Sequence, residues 1–191
     1  MTGFATAGFL AMAGRSASAM TQAEARTLIG SVMNAVHEII NSARSEAQMM
    51  RDFEALFTRY GDIPVIARSV LGPPARSASA AQLNAFTEAF RGYMARKYGG
   101  QFRRFIGARA DVTGARQVQS YWEVISTMTM RGEAPFEVRW HVSDRSGQHK
   151  FFNLIIEGVN LLAAERQEIG AMLERRGGSI DRLIQDLRST R

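Results

Sequence analysis

Residues 149–160 read His-Lys-Phe-Phe-Asn-Leu-Ile-Ile-Glu-Gly-Val-Asn. This β-rich run follows a turn-forming segment, Ser143-Asp144-Arg145-Ser146-Gly147, and stands directly before an amphipathic helical pattern near the chain end. It predicts a strand, the last of four. Residues 108–119, 121–130 and 136–143 are also β-prone, and Gly, Pro or Asp separates one from the next, a spacing that suits an antiparallel meander.

Upstream of the strands the period lengthens to that of helices. Ala25, Leu28, Ile29, Val32, Val36, Ile39 and Ile40 recur every three or four residues, and Thr21-Gln22-Ala23-Glu24 is a capping box that starts the helix. A second helix begins near Ser45, carries Met49, Met50, Phe53, Leu56 and Phe57, and closes at Tyr60-Gly61-Asp62. A short helical piece over residues 63–71 stops at Gly72-Pro73-Pro74, where two prolines forbid continuation. Ser79-Ala80-Ala81-Gln82 opens another capped helix, with Leu83, Phe86, Phe90, Tyr93 and Met94 on one side and Gly99-Gly100 as its stop. After the strands, residues 161–176 read as a helix ended by Gly177-Gly178, and Ser179 caps a last one bearing Ile180, Leu183, Ile184 and Leu187. Helices grouped first and strands second predict an α+β fold, with helices covering one face of a curved, four-stranded antiparallel sheet.

Alternation then sorts the side chains by face. In the third strand Phe136, Val138, Trp140 and Val142 point one way, while Glu137, Arg139 and His141 point the other. Trp122, Val124, Met128 and Met130 form a matching set on the second strand, and Phe152, Leu154, Ile156 and Gly158 on the fourth. One face is therefore bulky and apolar. It either fills itself as core or encloses a guest, and for any single residue core packing is the simpler account.

Composition bounds what such a chain can do. With 191 residues, 46% hydrophobic and 22% charged, it has material for one core, read here as a single domain over residues 20–191. The absence of cysteine excludes disulfides, thiolate metal sites and thiol nucleophiles. Residues 1–19 combine a short apolar segment with Ser16-Ala17-Ser18-Ala19, which reads as a secretory signal although no Lys or Arg precedes Phe4. The net charge is +6, and cleavage after Ala19 would remove Arg15 and leave +5.

Catalytic signatures are sparse. His37, His141 and His149 lack metal-ligand spacing; His37 is read as packing at the edge of the first helix and the other two as facing solvent. Asp111 and His141 could meet as an acid–base pair, but both fall on the solvent side of the alternation. Arg91, Arg96, Lys97, Arg103, Arg104 and Arg109 are interleaved with Tyr93, Tyr98, Phe102 and Phe105, which can signal nucleic acid. Helical spacing turns those aromatics to the core and leaves a solvated basic face, better suited to anionic headgroups or an acidic partner.

The run 149–160 resembles the pattern Gly-x-Trp-Lys-Val-x-Asp-Val-x-x-Glu-Gly-Val-Ser of the MlaC family, the periplasmic phospholipid-binding proteins of bacterial lipid-asymmetry transport, also named toluene-tolerance proteins. Val70-Leu71-Gly72, Arg76, Ala78-Ser79, Gln82, Phe86, Phe90 and Tyr98 fall in register with that family, as do Gly147, Lys150, Glu157-Gly158-Val159 and Arg166. Ala75 and His149 stand where the family has Trp, Asn153 for Asp, Asn160 for Ser and Glu165 for Tyr. The resemblance implies a nuclear transport factor 2-like cone whose apolar pocket holds acyl tails with the headgroup near the mouth. It implies a monomeric periplasmic shuttle, not an enzyme, that needs no cofactor and binds no nucleic acid. Such a shuttle exchanges phospholipid between an inner-membrane ABC transporter complex with an MCE-domain ring and an outer-membrane lipoprotein complex. Alternation, helical spacing and resemblance together nominate Phe90, Tyr93, Met94, Trp122, Val124, Phe136, Val138, Trp140, Phe152, Leu154 and Ile156 as the pocket lining. A carrier of another lipid, such as a hopanoid, or an enzyme of the same cone fold acting on a hydrophobic substrate, are the alternatives.

Overall fold

The structure is a computed structural model that describes residues 19–99 and 101–190. The expected signal segment, apart from Ala19, lies outside the described residues, as does Gly100. The element order is α1 (Gln22–Ile40), α2 (Glu46–Tyr60), α3 (Ile63–Leu71), α4 (Ala80–Gly99), β1 (Arg109–Val118), β2 (Tyr121–Thr129), β3 (Phe136–Ser143), β4 (Lys150–Ile156), β5 (Val159–Asn160), α5 (Leu161–Arg175) and α6 (Ile180–Ser189). Short 3-10 turns occupy Pro73–Arg76 and Phe102–Phe105.

The helices begin where their capping residues stand. Thr21 and Glu24 form the reciprocal capping box of α1, and Ser79 and Gln82 exchange the same two bonds, each 3.1 Å long, at the start of α4. Ser45 and Ser179 accept from the third residue of α2 and α6. No helix among the described residues is long and apolar enough to cross a membrane.

The sheet has five strands rather than four, all antiparallel in sequence order, and it is open. The run read as one strand through Asn160 is a strand, a turn and a return. Glu157 and Gly158 both take positive φ, 49° and 82°, the two-residue hairpin geometry whose twist matches that of the flanking strands. β5 then pairs Asn160 with Ile155 and Val159 with Ile156.

Cross-strand register puts Val124 opposite Trp140, Ser126 opposite Val138, and Trp140 opposite Leu154. Val124 and Val138 are buried under the helices, as the alternation predicts, and Trp140 is 8% exposed. Ser126, fully buried, accepts from the Trp140 indole at 3.0 Å and donates to the Val138 carbonyl at 3.2 Å. That pair gives the buried indole N–H the partner it requires. α1 lies over β1, β2 and β3, whereas α3 and α5 lie against β4; α2 and α6 each pack onto α4.

A bulge between His141 and Val142 corrects the reading of β4. Val142 pairs with Phe151, His141 with Asn153, and Phe152 is the extra residue. Leu154 and Ile156 keep the expected face, opposite Trp140 and Val138. Phe152 does not; its ring lies 5.4 Å from Tyr121 and 5.7 Å from His141, on the other side. Phe151 takes the inner place instead, 5.7 Å from Trp140 and 6.0 Å from Phe57.

Phe151 also ties the sheet to the helices. Its carbonyl accepts from Asp62 N at 2.8 Å, and its backbone bridges to Gly61 at the corner between α2 and α3. Gly61 has no room for a side chain: a Cβ there would stand 2.7 Å from the Phe57 carbonyl oxygen and 3.1 Å from its ring. Gly61→Ala is therefore expected to destabilise the protein by roughly 1–3 kcal/mol, the usual cost of overpacking. Chemical denaturation checks this, and an unchanged midpoint would mean that the corner yields without cost.

Candidate functional site

At the β4 end of the sheet an apolar cavity of about 50 Å³ opens between strand and helices. Phe57, Ile66, Val70 and Met94 wall it from α2, α3 and α4; Phe151, Phe152, Asn153 and Leu154 from β4; and Leu161, Leu162 and Glu165 from α5. Of the eleven nominated residues, Met94, Phe152 and Leu154 border it. Phe90, Tyr93, Val124, Val138 and Trp140 are instead packed in the core, and Trp122, Phe136 and Ile156 lie half-buried against it. Ile66 and Val70 escaped nomination although their four-residue spacing on α3 marks one helical face. Leu161 and Leu162 carried no face at all until the β5 turn set the direction of α5.

The surface of the cavity is wholly apolar, but one residue behind it carries a carboxylate. Glu165, read only as a departure from the family's Tyr, is 2% exposed. Its Oε1 accepts from Lys97 Nζ at 2.7 Å and Tyr98 Oη at 2.5 Å, while its Oε2 is buried without a hydrogen-bond partner. Lys97 also reaches Glu168, which accepts in turn from Tyr93 Oη. Burial opposes the Lys97 charge, but the bonds to Glu165 and Glu168 outweigh it and hold the ammonium well above its ordinary value. Burial and the bond to Glu168 push the Tyr93 phenol up to about 12, and burial with the bond to Glu165 raises Tyr98 as well. Both phenols therefore stay neutral donors at physiological pH.

The expected solvated basic face is present only in part: Arg104 and Arg109 are exposed, whereas Arg91, Arg96 and Lys97 are internal ties. Arg91 pairs with Glu54 and Glu88, and Arg96 donates to the Leu187 and Thr190 carbonyls at the end of α6. Phe102 and Arg103 side chains lie outside the described residues.

His141 is likewise not solvent-facing. It is 9% exposed and forms no pair with Asp111, which stays exposed on β1. Its Nε2 lies 3.2 Å from Glu123 Oε2, and its Nδ1 lies 3.3 Å from Asn153 Nδ2. Asn153 Oδ1 is occupied by Leu162 N at 3.1 Å, so its amide nitrogen faces the ring. Nδ1 then accepts and Nε2–H donates to Glu123. Arg116 closes the chain on Glu123 Oε1 at 2.6 Å. His149 is exposed as expected. His37, read as packed, is exposed in the last turn of α1 and lies 3.1 Å from Asn41.

Residues that carry the family resemblance have identifiable work. Lys150 Nζ donates to the Thr58 and Arg59 carbonyls, closing the C-terminus of α2. Gly72 takes φ +70°, and a Cβ there would meet the Arg166 guanidinium at 3.2 Å. Two of the departures preserve chemistry: Asn153 and Asn160 both accept from the first turn of α5, at Leu162 N and Ala163 N, which Asp and Ser would also do. No group of three or more His, Asp or Glu able to hold a metal ion occurs among the described residues.

Burial works against a charge on Glu123, but its bonds to Arg116 and His141 prevail and lower its pKa below the ordinary 4.5. A carboxylate lowered in the folded state contributes stability above its unfolded pKa and loses it as pH falls through the folded value. Glu123→Gln should therefore flatten the acid limb of stability below about pH 5. Denaturant melts of both proteins between neutral and acid pH test this, and parallel pH profiles would show that the pair contributes nothing.

The solved phospholipid-binding protein from Ralstonia solanacearum, in complex with a phospholipid, superposes with a TM-score of 0.74 at 17% sequence identity, covering 85% of this chain and 94% of that one. The family model described as MlaC protein matches residues 30–189, from within α1 to the end of α6. The chain belongs to the MlaC family.

Proposed function

We propose that this protein is a periplasmic phospholipid carrier, a monomer whose lipid-binding domain, residues 20–191, follows a signal segment at residues 1–19. The acyl tails enter between β4 and helices α3, α4 and α5, in the cone implied by the family resemblance. It takes lipid from, or delivers it to, an inner-membrane MCE-domain transporter complex and an outer-membrane lipoprotein complex. The observation that carries this reading is the apolar cavity at β4 in a chain whose structural relative was solved with a phospholipid.

Physical chemistry makes such a carrier sensible. Two acyl chains of roughly fifteen methylenes each, at ~0.8 kcal/mol per methylene, cost on the order of 20 kcal/mol to expose to water. A lipid therefore crosses an aqueous gap only with its tails sheltered. The cavity of about 50 Å³ is smaller than the roughly 150 Å³ that accommodates a benzene ring. On this reading the structure corresponds to a closed form, and loading parts α3 and the body of α5 from β4. Bilayer and cavity are both apolar, so transfer is close to balanced and the docking partner sets direction. An enzyme of the same fold would need ionisable groups free to react, whereas His141 and Glu123 are engaged with Asn153 and Arg116.

Native mass spectrometry of protein purified from a bacterial host, followed by organic extraction, is expected to reveal a diacyl lipid bound to each chain. Leu162→Trp, which fills the cavity from its half-buried rim, should cut that load severalfold while the protein remains folded by circular dichroism. Recovery of a hopanoid instead would change the cargo and keep the carrier. A wild-type protein free of any lipid sinks the reading, and an undiminished load in the variant would move the tails elsewhere.

A further inference from the structure

Resting on that reading, we propose that Glu165 determines headgroup specificity: its free oxygen accepts a hydrogen bond from a donor on the polar end of the bound lipid, an ammonium or a hydroxyl. The Glu165 side chain is 3% exposed, and it is the one charged residue in a wall otherwise built of apolar side chains and Asn153. Oε1 is fully committed to Lys97 and Tyr98, which fixes the plane of the carboxylate and leaves Oε2 buried and without a partner. A buried acceptor left unmade is costly, and more so when it belongs to a charged group. That cost is relieved when the cavity opens to a ligand that brings a donor.

In the closed arrangement this oxygen is sealed from the cavity, whose surface is apolar, and it becomes reachable when α5 moves. The cluster runs from the cavity wall to solvent, since Lys97 is 26% exposed and the Glu168 side chain 46%. Apolar lining on β4 and α3 lies to one side and the ion-pair cluster to the other, an amphiphilic arrangement that matches a lipid's own. Lys97 and the more distant Arg175 both act on Glu168, so the selective element is the unpartnered acceptor of Glu165, which favours a ligand that brings a donor over a bare phosphate. Ethanolamine supplies an ammonium and glycerol a hydroxyl; choline, fully methylated, supplies neither.

The test loads delipidated full-length protein from vesicles containing equal amounts of dioleoyl phosphatidylethanolamine, phosphatidylglycerol and phosphatidylcholine, then extracts and quantifies the bound lipid. The expected result is about tenfold enrichment of the ethanolamine lipid over the choline lipid, the worth of one hydrogen bond to a charged group. Enrichment of the glycerol lipid as well identifies any donor as sufficient; its absence identifies the ammonium. Glu165→Gln turns its amide oxygen to Lys97 and Tyr98 and puts its NH2 in place of the free oxygen, replacing the acceptor by a donor, so the ratio should fall to about one. Glu165→Met, similar in volume and with only a weakly accepting thioether, should do the same and serves if the glutamine variant does not fold. Equal loading of all three lipids by the wild type, or a preference that survives both substitutions, overturns the assignment and leaves the carrier standing. No loading of any lipid would overturn the carrier itself.

Discussion

The backbone of Phe151 is bonded on both sides. Toward the sheet it pairs with Val142, and toward the helices it bridges Gly61 and accepts from Asp62. Because both attachments are main-chain, the α2–α3 corner cannot drift relative to β4, and the Phe151 ring is held between Trp140 and Phe57. Gly61 makes the approach possible by presenting no Cβ to the Phe57 carbonyl. The cavity lies beside this joint, so its inner end is rigid. Of its other walls, α3 at Ile66 meets β4 through side chains, whereas α5 at Leu161 and Leu162 is held by the Asn153 cap and by the short β5 pairing just before it.

That distribution of strong and weak attachments suits a site that must open. Apolar contacts between α5 and β4 would be exchanged for apolar contacts with a lipid tail, at little net cost. The polar contacts behave differently. Partly exposed ion pairs such as Lys97–Glu168 are worth little each, but Glu165 is buried and its Oε1 is satisfied only while Lys97 and Tyr98 stay in place. α4 and α5 are therefore linked through a carboxylate that is difficult to desert, and the N-terminus of α5 is tethered to β4 by the β5 pairing, while the rest of α5 meets β4 through apolar surfaces that are easier to part.

Several features of the site were hidden from the linear sequence for identifiable reasons. Strict alternation gave Phe152 the inner face, and one extra residue in β4 handed that place to Phe151; a bulge leaves no signature in hydrophobic periodicity. His141 fell on the polar side of β3 and so read as solvated, yet Tyr121 and Phe152 cover it and Glu123 and Asn153 satisfy its nitrogens. Arg91, Arg96 and Lys97 looked like a free basic face because their partners, Glu54, the Leu187 carbonyl and Glu165, lie far away in sequence.

Local chemistry written along the chain was enough for the rest. Caps at Thr21, Ser45, Ser79 and Ser179, stops at Gly72-Pro73-Pro74 and Gly177-Gly178, and the switch from helical to alternating period delimited six helices and the strands, because these signals act over a few residues. Family membership was legible for the same reason, in short runs such as Glu157-Gly158-Val159. Tertiary structure alone decided which apolar residues became solid core and which became cavity wall. It also brought Glu165 beside Lys97 and Tyr98, since both outcomes depend on how α5 docks after a tight turn, a matter of register and long-range contact that no local pattern encodes.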